Sequence, residues 1–384
     1  APGHTLMHVG FYAPMKPPNH PSPSGDRTLA QLLIEAMTLA GHEVRVMSEF
    51  RSLDILGKSD SQKKLEIHGR EEVDRILNQA TSSVLGVIDL WFTYHLFHKA
   101  PDWLGPEISK TLGIPYVVAE ASYAPKQQNG RWQAGLVQVE AALRSAAGVV
   151  SLNPRDRDCL QPFLDVKVSQ LSLLPFTRQS QFVLQKQDML KTQLGQSLGI
   201  DAQVPWLIAV AMMRKGDKER SFRMLASALA QILDLDWQLL VIGGGEAANL
   251  VNKALAPIGD DRVRVLGVLE PEGAQQYLDA SDVFAWPAIN EAFGMAMLEA
   301  HRHGLPVVAG YTDGTATIVE DMVTGFLTEP ENIEAFAQAV RHLIENHDLR
   351  KKMGRAARRK FLDYHTLEKA AEALDRFLRS LTSS

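Results

Sequence analysis

The stretch Asp282-Val-Phe-Ala-Trp-Pro-Ala-Ile-Asn-Glu-Ala-Phe-Gly-Met-Ala-Met-Leu-Glu-Ala300 decides the fold. It opens as a short apolar run of strand type, turns at Pro287 and Asn290, and continues with helical spacing to His303-Gly304. A strand running straight into a helix is the repeating element of a parallel sheet covered by helices. Gly294 has no Cβ, so a ligand can approach the backbone closely. The N–H groups of Phe293, Gly294, Met295 and Ala296 lie at the free start of the helix, where the dipole adds about half a positive charge. Such a place suits an anion, and phosphate best. Glu291 and Glu299 bracket it. A carboxylate accepts paired hydrogen bonds from adjacent hydroxyls, so the two can hold two polyols, a ribose and a sugar. Each also fits a plainer role, Glu291 as a helix cap and Glu299 as a core-edge residue.

The same rhythm extends outward in both directions. Before this stretch, Trp206–Ala211, Gln238–Ile242 and Val263–Leu266 read as strands, with helices at Ser221–Ile232 and Ala274–Ala280. After it, Pro306–Ala309 and Gly325–Leu327 are strands, and the chain beyond Asn346 is helical. The first half repeats the pattern. Strands are expected at Leu6–Tyr12, Glu43–Met47, Leu85–Phe92, Tyr116–Ala119 and Gly148–Leu152, with helices at Thr28–Ala40, Pro106–Leu112 and Val137–Ala146. The zone between the halves is rich in Gln, Lys and Ser. The expected organisation is therefore a Rossmann-like domain over 1–176, a linker over 177–204, a second Rossmann-like domain over 205–362, and a terminal helix over 363–384 that returns to the first domain. In such sheets, ligands bind beyond the carboxyl ends of the strands.

Further candidates lie at such ends. Gly243 and Gly244 follow a strand in Ile242-Gly-Gly-Gly-Glu246, although glycines there serve packing turns nearly as often. Arg214 and Lys218, in the loop after Trp206–Ala211, are two cations able to pair with a diphosphate. Asp313-Gly-Thr-Ala-Thr317 reads as a loop before a helical run at Ile318–Asp321.

Taken with Gly304-Leu-Pro-Val-Val308, Ile318-Val-Glu320 and Thr324-Gly-Phe-Leu327, the stretch quoted above resembles the nucleotide-sugar domain of the family-4 retaining glycosyltransferases. The first half is similar more loosely, through Gly41-His-Glu-Val44 and Leu112-Gly-Ile-Pro-Tyr-Val-Val118. The resemblance implies the GT-B architecture, two Rossmann-like domains with parallel sheets facing across a cleft. It implies that Glu299 binds the ribose, that Glu291 holds the transferred sugar, and that the N–H groups of Phe293, Gly294 and Met295 meet the distal phosphate or sugar. Arg214 and Lys218 would neutralise the leaving diphosphate. Val268 and Leu269 would line the base, and Gly25 would approach the diphosphate from the first domain. The chain departs from the family in three places. Ala211-Met-Met-Arg214 shifts the usual arginine by one, Pro23-Ser-Gly25-Asp26 lacks paired glycines, and Glu120-Ala-Ser122 stands where relatives carry a histidine. His95 is the nearest histidine for that role.

Composition bounds the rest. The net charge of −5 provides no global basic field for nucleic acid. The single cysteine, Cys159, excludes a disulfide framework and a Cys-rich metal site, and reads as a small packed residue. No Asp-x-Asp pair is placed to hold a metal, so a metal-independent hexosyltransferase without cofactor is expected, with a UDP-sugar favoured as donor. No apolar run reaches membrane-spanning length and no secretory leader is legible, so a cytoplasmic protein is expected. The basic run Arg350–Lys360 reads as a solvated helix face, the alternative being peripheral contact with an anionic membrane surface. The acceptor, whether saccharide, lipid-linked or small-molecule, is left to loops of the first half over residues 16–25, 49–65, 95–103 and 123–133. The competing readings are a non-catalytic nucleotide-sugar-binding subunit and a same-fold nucleotide-sugar epimerase. A nicotinamide oxidoreductase lacks its Gly-x-Gly-x-x-Gly fingerprint. Oligomeric state is not legible.

Overall fold

A computed structural model describes residues 6–22, 24–81, 86–179 and 187–382. The chain divides into two compact units. Unit 1 is Ala1–Leu174 with Leu367–Ser384, and unit 2 is Pro175–Thr366.

Unit 1 runs β1 (His8–Tyr12), α1 (Gly25–Leu39), β2 (Glu43–Ser48), α2 (Ser59–Thr81), β3 (Leu90–Leu96), α3 (Gly105–Leu112), β4 (Tyr116–Ala121), α4 (Gln133–Ser145), β5 (Gly148–Ser151), α5 (Pro154–Leu160) and β6 (Ser169–Ser172). The strands form one parallel sheet in the order β2-β1-β3-β4-β5-β6. Every residue of β4 and β5 is buried, as expected of a parallel sheet covered on both faces.

Unit 2 runs α6 (Gln187–Leu198), β7 (Trp206–Val210), α7 (Asp217–Leu229), β8 (Gln238–Ile242), α8 (Ala248–Leu255), β9 (Val263–Gly267), α9 (Pro271–Ala280), β10 (Val283–Trp286), α10 (Met295–Arg302), β11 (Val307–Gly310), α11 (Asp313–Ile318), β12 (Gly325–Thr328), α12 (Ile333–Glu345) and α13 (His347–Tyr364). Its sheet is also parallel, ordered β12-β11-β10-β7-β8-β9. The chain then enters α14 (Leu367–Thr382), which packs along α1 in unit 1. Leu367, Ala370, Ala371, Leu374 and Leu378 give α14 one buried face at helical spacing. No helix among the described residues is long and apolar enough to cross a membrane.

Several elements differ from their sequence reading. The strand read at Leu85–Phe92 runs over Leu90–Leu96, and Leu85 lies outside the described residues. Polar Thr93 and His95 masked its later half. Thr93 is buried there because its hydroxyl accepts from Trp91 Nε1 (3.0 Å) and donates to Asp102 (2.5 Å). Helix α1 starts three residues earlier than read, since Ser24 caps it through Arg27 N–H at 3.2 Å. The helical core read within 177–204 is α6, but it is no linker: its Leu190, Leu194 and Leu198 pack into the core of unit 2. Lys191 on α6 pairs with Asp282 at 2.6 Å, both side chains about 10% exposed. The basic run is only partly solvated. Arg350 is buried and donates to the Leu343 and Ile344 carbonyls (2.7 Å each), closing the end of α12, and Arg358 donates to the Arg302 carbonyl. Cys159 is exposed on α5, not packed.

Candidate functional site

In unit 2 the chain proceeds from β7 outward to β9, then returns to place β10 on the other side of β7. The order reverses between β7 and β10, which opens a crevice beyond their carboxyl ends. The loops leaving these two strands carry Lys218 and Glu291. Lys218 sits in the first turn of α7, not in the loop assigned to it from sequence. Its Nζ lies 2.5 Å from Glu291 Oε2 and 5.6 Å from the centre of the Trp286 ring. Phe222 packs edge-on against that ring at 4.8 Å. The two charged side chains are 34% and 20% exposed. An ion pair this open is worth about 0–1 kcal/mol, so a charged, hydroxylated ligand can separate it cheaply.

The loop between β10 and α10 is shaped by two left-handed residues, Asn290 (φ 51°) and Gly294 (φ 64°). Asn290 tolerates this conformation and its amide donates to Asp217 at 3.1 Å. Gly294 is the N-cap of α10 and supplies no side-chain cap. The first-turn N–H groups of Met295 and Ala296 have no backbone acceptor among the described residues. The positive end of α10 is thus uncapped among the described residues, the arrangement that suits an anion. Beneath the loop, Thr312 Oγ1 donates to the Glu291 carbonyl at 2.8 Å. Asp313–Thr317, read as preceding a helical run at Ile318–Asp321, is itself helical, the helix spanning Asp313–Ile318, because Thr312 and Thr315 form a reciprocal capping box.

Glu299 is half-buried on α10, four residues after Met295 and so on the same face. Its carboxylate has no protein partner among the described residues. Arg214 is exposed and its guanidinium is likewise unpaired there. Phe293 is half-buried in the same loop. Gly243 answers to packing. A Cβ there would stand 1.9 Å from the Ala211 carbonyl oxygen, on the turn after β7. Gly244 N–H and C=O line the neighbouring turn, its carbonyl accepting from Met213 N–H at 2.9 Å, and a Cβ on it would meet Val268 at 2.8 Å. Val268 is 70% exposed and Leu269 is half-buried. The structure therefore gathers the ends of β7, β8, β9 and β10 around one edge of the sheet.

Unit 1 has its own order reversal, between β1 and β3. Gly25 and Asp26 form the first turn of α1, which follows β1, and a Cβ on Gly25 would meet nothing within 4 Å. His95 lies near the end of β3 with φ 65°, and its Nδ1 is 2.9 Å from Asp26 Oδ1. Burial pushes the Asp26 carboxyl up, but the hydrogen bond and charge of His95 hold it below its ordinary value. Glu120, at the end of β4, is also left-handed (φ 56°). It is only 7% exposed. Burial, then the charges of Asp156 and Asp26, raise its pKa to about 8. Asp156, in the first turn of α5, is likewise raised, mainly by burial. Left-handed non-glycine residues on adjacent strand ends are a form of strain that clusters at functional sites. Sequence reading singled out His95 and Gly25 but missed Asp26 and Asp156. It noted Glu120 only as a departure. The available signal was position: each follows or ends a successive strand.

Fold and site together give two parallel Rossmann-like units, the second with an open helix start at its order reversal. Residues 208–360 match the family model described as Glycosyl transferases group 1. Among curated proteins, the chain is 25% identical over 217 residues to the alpha-D-kanosaminyltransferase of Streptomyces kanamyceticus, covering 56% of each. It is 34% identical over 140 residues to the D-inositol 3-phosphate glycosyltransferase of Corynebacterium diphtheriae, covering 35% of this chain and 33% of that protein. The matched segments thus span about half or less of these relatives. Among solved structures, Anabaena HepE in complex with UDP superposes with a TM-score of 0.72 at 18% identity, over 98% of this chain and 100% of that one.

Proposed function

We propose that the chain is a retaining glycosyltransferase that moves a sugar from a nucleoside-diphosphate sugar to an acceptor hydroxyl. The observation that carries this reading is the Lys218–Glu291 pair beside the open start of α10, at the order reversal of the unit 2 sheet. Departure of the diphosphate builds negative charge on its distal phosphate and positive charge on the sugar ring. Lys218, Arg214 and the N–H groups of Gly294, Met295 and Ala296 stabilise the first. Each preorganised donor of this kind is worth about 3 kcal/mol. Glu291, released from Lys218 as phosphate takes the cation, accepts from hydroxyls of the sugar. Glu299 accepts from the ribose, and Val268 and Leu269 flank the base, which we take to be uracil.

The acceptor is assigned to unit 1. Its hydroxyl oxygen attacks the anomeric carbon on the face the diphosphate leaves. The carbon–oxygen bond to phosphate breaks, and the hydroxyl proton passes to the departing phosphate oxygen. Configuration is kept, with no covalent enzyme intermediate and no metal required. The same chemistry accommodates saccharide, small-molecule and lipid-linked acceptors, the last with cytoplasmic placement and peripheral membrane contact.

Lys218→Ala and Glu291→Ala each test the assignment. Transfer from UDP-glucose and its epimers, followed by UDP release, should fall about a hundredfold or more in kcat. Undiminished turnover in both variants would remove the site. Release of UDP by the unmodified chain without acceptor would separate an enzyme from a sugar-nucleotide-binding subunit.

A further inference from the structure

Four successive strand ends of unit 1, in sheet order β1, β3, β4 and β5, carry Asp26, His95, Glu120 and Asp156. The cluster is lopsided in charge. Among the described residues its close cationic partner is His95, hydrogen-bonded to Asp26. The fields of Lys16 and Arg155 act on Asp26 and Asp156 respectively. Among the described residues, neither lysine nor arginine is among the charges acting on Glu120.

Glu120 is the informative member. Its side chain is buried, and Oε2 has no hydrogen-bond partner. The groups that face it are Asp156 from α5, Asp26 from α1, the Leu152 N–H after β5, and Tyr94 from β3, which feels the Glu120 charge in turn. A buried carboxyl oxygen in the field of further carboxylates is half of an interaction, since buried polar atoms are nearly always paired. Among the described residues no three His, Cys, Asp or Glu side chains converge closely enough to hold a metal ion. Carboxyl groups on neighbouring strand ends that form no metal shell suit a larger organic cation with several N–H donors.

Resting on the reading that unit 1 receives the acceptor, we propose that this acceptor carries a protonated amine, held by Glu120 with Asp156 and Asp26. A phosphorylated or carboxylated acceptor would be repelled by the ionised members of the cluster. A neutral polyol would leave their charge uncompensated. The amine also changes the protonation of the site. Free Glu120 holds its proton at neutral pH, and an ammonium group beside it favours the carboxylate. Binding therefore transfers the Glu120 proton to buffer, and affinity rises with pH until the amine itself loses its proton.

The test is titration calorimetry on the full chain, in two buffers of different protonation enthalpy. The cationic probes are glucosamine and streptamine, the neutral ones N-acetylglucosamine and inositol, and the anionic one glucose 6-phosphate. Thermal shift by UDP is followed in parallel. At least one cationic probe should bind with proton release, and its neutral counterpart at least about tenfold more weakly. The isosteric Glu120→Gln should lose that preference and the proton release while keeping the UDP shift. Asp156→Asn, on a more exposed residue, should weaken the cationic probe in the same direction. Equal or tighter binding of the neutral or anionic probes, no binding of either amine at millimolar concentration, or unchanged proton release in Glu120→Gln would overturn the proposal. Absence of the UDP shift in the unmodified chain would instead refute the glycosyltransferase reading on which it rests.

Discussion

Replacing Gly314 with alanine strikes the Glu291 loop from below. A Cβ at Gly314 would stand 2.3 Å from the Ala292 oxygen and 2.4 Å from both the Ala292 carbonyl carbon and the Glu291 oxygen. All three are backbone atoms, which cannot swing aside as a side-chain tip does. Helix α11 is held by its capping box and by Thr315 Oγ1 donating to the Gly310 carbonyl at 3.0 Å. The loop must therefore give way. Restoring ordinary contact moves it by about 1 Å, a displacement that costs on the order of a hundredfold in rate when it misplaces a reacting group. Overpacking of this kind also costs about 1–3 kcal/mol of stability. The assay is kcat/KM for transfer from a UDP-sugar, beside the thermal midpoint. Gly199→Ala is the control. Gly199 is left-handed (φ 64°) with nothing within 4 Å of a Cβ, so alanine there costs about 1–2 kcal/mol of backbone strain and leaves turnover intact. Full activity with an unchanged midpoint in Gly314→Ala would refute the claim that α11 positions Glu291.

Two pH dependences follow from buried groups. Glu120 is raised from 4.5 to about 8 in the folded chain, so the folded state binds the extra proton between those values. Its contribution to stability is greatest at low pH and falls as pH rises through that window, at up to about 1.4 kcal/mol per unit. Denaturant titrations from pH 5 to 8 should show a falling component that Glu120→Gln removes; parallel curves for the two proteins would contradict the burial. His301 and His365 behave oppositely. Burial lowers them to about 3 and about 4, from an ordinary 6.5. Both are neutral in the fold, so stability is complete above pH 6.5 and lost as pH falls toward those values. His301→Asn should flatten the acid limb of the stability curve, and an unaltered limb would count against it.

How legible these features were depended on whether local pattern and tertiary environment agree. The β10–α10 stretch was readable because its turn residues, its helix start and its glutamates all lie in one segment. Lys218 was read into a loop, since the start of α7 at Asp217 follows a glycine with no side-chain cap. Unit 1 was harder. Helix α2 has few apolar residues, so its first turns were absorbed into a loop over 49–65. Strand β3 hides its polar Thr93 by a hydrogen-bond network with Trp91, Asp102 and Tyr116 that no periodicity announces. The Asp26, Glu120 and Asp156 cluster is assembled from residues up to 130 positions apart. Only strand order, which sequence spacing does not give, brings them to neighbouring strand ends. The basic run of α13 misled for the same reason: Arg350 faces the core, where it satisfies the last carbonyls of α12.

The structure of the chain with a nucleoside diphosphate bound tests the central claim most directly. The account predicts the distal phosphate about 3 Å from the N–H groups of Gly294, Met295 or Ala296 and from Lys218 Nζ. Glu299 would then lie on the ribose hydroxyls, with the Lys218–Glu291 pair opened. A diphosphate bound elsewhere, with that pair intact and the start of α10 bare, would contradict it.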